Sequence, residues 1–264
     1  MTAARRLALR LATALALLLA ISSLGCASRT VGRTAEGAPI VQIPLSLSNV
    51  YLVKANRPIL IDTGALGDMH DLTNALEDNG VWPGRISLII VTHAHADHAG
   101  LAAELREISR APVVLGEGDR ELARRGHNDE LRPTSLTATL LKPFIPTIFP
   151  EIEPDIAVAP GKPLDLRPYG LEGEVIAMPG HTPGSIVVVL PNHVAFVGDM
   201  MLGGVAGDAL FAQSPGEHYY QADPAENRAN IQALLRMGIE TFYLGHGGPV
   251  SRAAVIRAYG FDAR

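Results

Sequence analysis

A single cysteine, few aromatic side chains (5%) and no excess of basic charge limit what this 264-residue chain can be. Cys26 stands alone, so no intrachain disulfide can staple the fold. Charged residues make up 19% of the chain against 47% hydrophobic ones, enough for a sizeable core within one large domain. The 22 Lys and Arg are outnumbered by 27 Asp and Glu, giving a formal charge of −5 with no evident basic stripe. Nucleic-acid binding is driven by phosphate neutralisation, so nucleic acid is not an expected partner. Long apolar runs are scarce as well. The main one, Leu11 to Leu24, is short for a stable membrane span.

That run has a different meaning in context. Arg5, Arg6 and Arg10 lead into it, and it ends in Leu24-Gly25-Cys26-Ala27-Ser28. A basic start, an apolar middle and small residues at the end describe a secretory signal over residues 1–25. Removing it takes away three arginines and no acid, so the formal charge shifts from −5 to −8. The lone cysteine at its end resembles the lipobox of bacterial lipoproteins, although Ser23 stands where that motif usually has Leu. The resemblance implies that Cys26 is lipidated as the mature N-terminus and that the chain is exported to a bacterial cell envelope, facing the periplasm or exterior. Membrane contact is then expected through the anchor only. An ordinary cleaved signal and an uncleaved anchor are the alternatives. Residues 26–39, rich in Ser, Thr, Gly and Arg, read as a flexible tether to a domain over 40–264.

From Ile40 onward, strands and helices alternate. Val41 to Leu45, Val50 to Lys54 and Ile59 to Ile61 read as strands, the last leading into Asp62-Thr63-Gly64. Gly67 to Asn79 has helical spacing in Met69, Leu72 and Leu76 and stops at Gly80. Ile86 to Val91 reads as a buried strand, Gly100 to Arg110 as a helix, and Pro112 to Leu115 as the next strand. Further strands are expected over 174–177, 185–190, 194–197 and 241–244. Asp223-Pro224-Ala225-Glu226 is a strong helix start, and a short helix over 251–259 is expected near the C-terminus. The exception is Arg132 to Pro163, where seven prolines preclude a long helix or a central strand. Phe144, Ile145, Ile148 and Phe149 lie among those prolines, so the segment reads as a lid or pocket wall, with simple surface packing and membrane contact as the alternatives and Phe144 and Phe149 as candidates for substrate contact.

The chemistry is concentrated at the ends of the apolar runs. Thr92-His93-Ala94-His95-Ala96-Asp97-His98 follows the strand at 86–91. His181 sits in Gly180-His181-Thr182-Pro183-Gly184, Asp199 in Gly198-Asp199, and His246 in Gly245-His246-Gly247. Imidazole and carboxylate are ligands for borderline divalent metals. His93 and His95, two positions apart at a strand end, point the same way, which leaves Asp97 and His98 to aim at a second point. Two metals about 3.5–4 Å apart can polarise a carbonyl and activate water, and Asp199 has two oxygens to share between them.

These motifs, together with Asp62 in the Asp-Thr-Gly turn, resemble the metallo-β-lactamase superfamily from about Ile40 onward. The resemblance implies an α/β fold, a four-layer αββα sandwich with the site on one edge. It implies that His93, His95 and His181 hold one zinc, that Asp97, His98 and His246 hold the other, and that Asp199 lies between. Asp62 would orient the metal loop rather than bind metal. His218, Tyr219 and Tyr220 would border the pocket, while His70, His127 and His193 read as surface or structural residues. Iron or manganese could replace zinc on such ligands.

Within that family, cysteine-using lactamases need a thiol where Asp199 stands, and glyoxalase II adds a helical domain after the last ligand, where eighteen residues follow His246 here. The expected activity is cleavage of an ester, lactone or thioester bond of a small molecule by a metal-bridging hydroxide, with Asp97 and Asp199 as the catalytic carboxylates. Lactonases of the quorum-quenching type have a tyrosine three residues after the bridging aspartate, where this chain has Leu202. The alternatives are a β-lactam hydrolase, an iron-dependent oxygenase on the same fold, and a metal-loaded envelope protein that binds without turnover.

Overall fold

Val, Ile and Leu runs of three to six residues form two sheets, because both faces of each find apolar cover. The computed structural model describes residues 28–205 and 210–262. The signal segment 1–25 and the lipidation candidate Cys26 lie outside them. No helix among the described residues is long and apolar enough to cross a membrane.

The first sheet has seven strands in chain order: β1 (Arg29–Arg33), β2 (Pro39–Pro44), β3 (Asn49–Val53), β4 (Ile59–Ile61), β5 (Leu88–Ile90), β6 (Val113–Gly116) and β7 (Ile156–Val158). β1 to β4 are antiparallel and β4 to β7 parallel. Helices Met69–Asp78 and Ala102–Ser109 make the crossovers between the parallel strands. The second sheet combines β8 (Leu164–Asp165), β9 (Glu174–Ala177), β10 (Ile186–Leu190) and β11 (Val194–Gly198) with β14 (Thr241–Leu244) and β15 (Val250–Ser251), in the order β15-β14-β11-β10-β9-β8. Between them in sequence, β12 (Leu202–Val205) and β13 (Leu210–Gly216) pair as a separate ribbon that the sequence reading does not contain.

Alternation along the strands sorts the side chains into layers. Tyr51, Val53, Ile59 and Ile61 face Val188, Phe196 and Tyr243 of the other sheet, and this makes the inter-sheet core. Their neighbours Leu52 and Leu60 point outward onto Leu72, Leu76 and Leu105 of the two crossover helices. Val187, Ala195 and Phe242 do the same on the far side, against Ile231 and Leu234 of helix Pro224–Arg236 and Val255 of helix Arg252–Tyr259. The result is the four-layer αββα sandwich expected from the sequence.

One expectation needs correction here. The tether does not extend to residue 39: Arg29–Arg33 is a strand paired antiparallel to β2. Val31 packs on the inter-sheet core, and the Arg29 guanidinium donates to Gln42 Oε1 at 3.1 and 2.9 Å, so the segment has both an apolar and a polar partner in the sheet. The proline-rich stretch has no long helix or central strand, but it does contain the six-residue helix Leu136–Leu141 and the edge strand β7, placed where prolines are tolerated.

Candidate metal centre

Five strand ends deliver the ligand-capable side chains to one place. Asp62 follows β4, the loop of residues 92–98 follows β5, His181 comes in the connection after β9, Asp199 follows β11, and His246 follows β14. Asp62 adopts a left-handed backbone conformation (φ 61°), uncommon for a residue with a side chain. Its carboxylate accepts from Thr92 N (2.7 Å), Thr92 Oγ1 (3.0 Å) and His98 Nδ1 (3.0 Å). One aspartate therefore anchors the start of the loop and turns the His98 ring so that Nε2 faces inward.

Three further rings are oriented in the same way. His181 Nδ1 donates to Tyr220 O at 2.8 Å, His95 Nε2 pairs with Asp129 Oδ1 at 2.9 Å, and His93 Nδ1 meets Thr92 Oγ1 at 3.0 Å. Each ring spends one nitrogen on an outer partner and leaves the other free, which is how metal-binding histidines are positioned. His181 Nε2 then lies 3.1 Å from His93 Nε2 and 3.2 Å from His95 Nδ1. Those separations match the edge of a tetrahedron with zinc–nitrogen bonds of about 2.0 Å, roughly 3.3 Å. Beside this triad, His98 Nε2 is 3.5 Å from Asp97 Oδ2, which is 3.3 Å from His246 Nε2. Asp199 lies between the two groups: Oδ1 is 3.4 Å from His98 Nε2, and Oδ2 is 3.2 Å from His246 Nε2, 3.7 Å from His181 Nε2 and 3.8 Å from His93 Nε2. All seven residues expected from the sequence converge here.

The residues fit a metal pair on independent grounds. His98 Nε2 and Asp199 Oδ1 are buried polar atoms with no hydrogen-bond partner, a costly state unless a cation serves both. The ligand atoms of His93, His95 and His181, and separately those of Asp97, His98 and His246, lie within 4.8 Å of one another. Gly245 allows the close approach, since a Cβ there would collide with Asp199 Oδ1 and His98 Cε1.

Electrostatics divides the histidines. Burial, and then the neighbouring imidazoles, hold His93 and His181 well below the usual histidine pKa. At His98 burial opposes the charge, but Asp199, Asp97 and Asp62 together outweigh it and raise the ring well above its ordinary value. At His246 burial again opposes, and Asp199 and Asp97 push the pKa up to about 10. Burial would raise both carboxylates, but His98 and His246 hold Asp97 low, and His246, His98 and His218 hold Asp199 well below the usual carboxylate range.

The pocket candidates separate. A cleft of about 220 Å³ opens over the cluster, and Phe144, His218, Tyr219 and Tyr220 line it. His218 goes deeper than expected, with Nε2 3.1 Å from Asp199 Oδ2. Phe149 does not reach the cleft. It is buried among Ala123 and Ile152 under the first sheet, because its extended neighbour Ile148 takes the outward-facing position.

Sequence reasoning missed the residues that brace the ligand loops. Asp119, fully buried, accepts from Ala94 N (2.9 Å), Thr182 Oγ1 (2.7 Å) and Gly184 N (2.7 Å), tying the loop of His93 to the loop of His181. Asn128 Oδ1 accepts from Ala96 N at 2.8 Å, and Ser48 Oγ donates to the Asp97 carbonyl. Asp119 has one legible signal: like the ligands, it follows a strand end. Asp119→Ala would leave three buried donors unpaired at roughly 1–3 kcal/mol each, so a destabilisation of about 3–5 kcal/mol is expected in urea titrations. A change under about 1 kcal/mol would contradict the bracing role.

With the geometry established, comparison with known proteins is decisive. The metallo-beta-lactamase superfamily model matches residues 43–246. The chain belongs to the metallo-beta-lactamase superfamily. It is 33% identical over 208 residues to a protein named probable metallo-hydrolase from Methanocaldococcus jannaschii, covering 76% of this chain and 87% of that one. It is 28% identical over 181 residues to a hydroxyacylglutathione hydrolase from Methylobacillus flagellatus, covering 68% of this chain and 55% of that protein. Among solved structures it is similar to the subclass B3 metallo-beta-lactamase BJP-1 of Bradyrhizobium japonicum, with a TM-score of 0.56 and 25% identity over 78% of this chain and 74% of the other.

Proposed function

We propose that this superfamily hydrolase holds two zinc ions and cleaves an ester, lactone or thioester bond of a small molecule. The observation that carries the reading is Asp199, whose two oxygens reach both histidine groups while Oδ1 has no partner of its own. His93, His95 and His181 would hold one ion, and Asp97, His98 and His246 the other, with Asp199 shared. Bound there, the ions supply the Lewis acidity that polarises a carbonyl and makes water nucleophilic near neutral pH.

The chain's own residues do the rest. Asp97 and Asp199 are held ionised by their histidine neighbours, so either can accept a hydrogen bond from a polar group brought between them and orient it. Asp62, Asp129 and the Tyr220 carbonyl fix ring orientation, which keeps the ligand set preorganised. No serine or cysteine nucleophile is needed, and the Thr92 hydroxyl beside His93 is committed to Asp62. Export through residues 1–25 and lipidation at Cys26 belong to the same proposal and would place the site in the cell envelope.

The test is a substrate panel on the zinc-loaded full chain, with a chelator-treated sample as control. Turnover is expected for carbonyl esters, lactones or thioesters and should vanish in the control. Turnover confined to β-lactams or phosphodiesters would overturn the assignment.

A further inference from the structure

The cleft has a polar floor and an apolar wall. The floor is the cluster itself, through His95, Asp97, Asp199, His218 and His246. The wall consists of Leu131, Leu141, Phe144, Ile145, Leu202 and Tyr219. Polar groups interrupting it are already committed. Asn128 spends its amide on Ala96 N and Pro146 O, and the Tyr220 hydroxyl donates to Ala138 O at 2.8 Å.

No Lys or Arg lines the cleft among the described residues. Residues 206–209, the one internal stretch outside them, read Ala-Gly-Asp-Ala and add none. Away from the cluster, a substrate carboxylate or phosphate in this cleft would meet apolar side chains and no cationic one, and an unpaired buried charge is costly. Meanwhile Phe144 (81% exposed), Leu47 (46%) and Leu141 (38%) present apolar surface to water at the mouth. Such a surface, continuous with a reactive floor, gains by being covered with apolar matter.

We infer that the substrate carries an uncharged, apolar acyl arm, seated along Leu131, Leu141, Phe144, Ile145 and Leu202, with its scissile carbonyl on the cluster. The inference rests on the hydrolase reading for the carbonyl but not for the arm. Substrates whose arm ends in a carboxylate are disfavoured by the same wall.

Two measurements on the zinc-loaded full chain separate the arm from the reaction. Binding is followed by calorimetry with the N-methyl amides of straight-chain acids from butanoyl to octanoyl, which are uncharged and resist hydrolysis. Hydrolysis is followed with p-nitrophenyl esters from acetyl to octanoyl, and with an adipoyl monoester whose far end is a carboxylate. Affinity and kcat/KM are expected to rise about two- to fourfold per added methylene, as fits full or partial burial of each group. The adipoyl ester should fall about tenfold or more below the hexanoyl ester. Leu141→Arg, at a half-exposed position that tolerates charge, should flatten the uncharged series and favour the adipoyl ester. A flat amide series, or an adipoyl ester as good as hexanoyl, overturns the acyl arm. A graded amide series with no ester cleaved supports the arm and overturns the hydrolase reading instead.

Discussion

Asp199→Ala is expected to lower hydrolysis by about 10³-fold or more and to reduce zinc binding below two ions per chain, with the fold retained. The size of the effect follows from position. Asp199 is 3% exposed and touches His93, His98, His181, His218 and His246, so no other side chain can take over its two directions at once. The fold should survive because Asp199 is a leading cause of the raised pKa at both His98 and His246. Without it those rings shed their protons at lower pH instead of remaining as unpaired buried charges. Metal analysis, kcat and far-ultraviolet circular dichroism on the same sample check the three parts. Asp199→Asn keeps the shape and loses the charge, and it should fail nearly as badly. A fully active, two-zinc Asp199→Ala protein would remove the bridging role.

The second large effect is the pH dependence of zinc affinity. In the metal-free protein Asp199 and its neighbouring carboxylates raise the pKa of His98 well above the usual histidine value and that of His246 up to about 10, which favours the protonated form of both rings. A metal ligand must be neutral imidazole, so loading the site displaces both protons. Asp97 and Asp199 are already ionised and contribute none. Affinity should therefore rise about a hundredfold per pH unit around neutrality, with about two protons released per chain, measured by calorimetry in buffers of different ionisation enthalpy. Release of no protons would contradict the charge states assigned here. Stability of the metal-free chain runs the opposite way on the alkaline side. The raised pKa of His246 contributes stability that is fully present below about 6.5 and is lost as pH rises through about 10. His93 and His181, whose pKa values are depressed, contribute stability present above about 6.5 and lost on acidification. On these groups the metal-free chain should be most stable near about pH 6.5, where both contributions are present.

How much of this could be read in the sequence varies with the range of the interaction. The layers were legible because each strand is an apolar run bounded by turn residues, and the seven converging side chains were legible because they lie in short motifs at strand ends. Asp119 follows a strand end but, like Asp129, lies in no recognisable motif: their partners Thr182 and His95 lie 63 and 34 residues away. Phe144 and Phe149 are equivalent in sequence, and only the path of the chain between Lys142 and Pro150 turns one to the cleft and the other into the core. β1 looks like a tether because its arginines mask Val31, the residue that packs. His218 stood out only as a neighbour of two tyrosines, yet its ring is 4.6 Å from that of His181.

The central claim is that these seven side chains hold a pair of metal ions that make the chain a hydrolase. Titrating the metal-free full chain with zinc, while following hydrolysis of a p-nitrophenyl ester and bound metal together, tests it most directly. The account predicts that activity is absent without metal and reaches its plateau at two ions per chain. Ester hydrolysis that is unchanged by chelation, or a chain that binds no zinc at neutral pH, would contradict it.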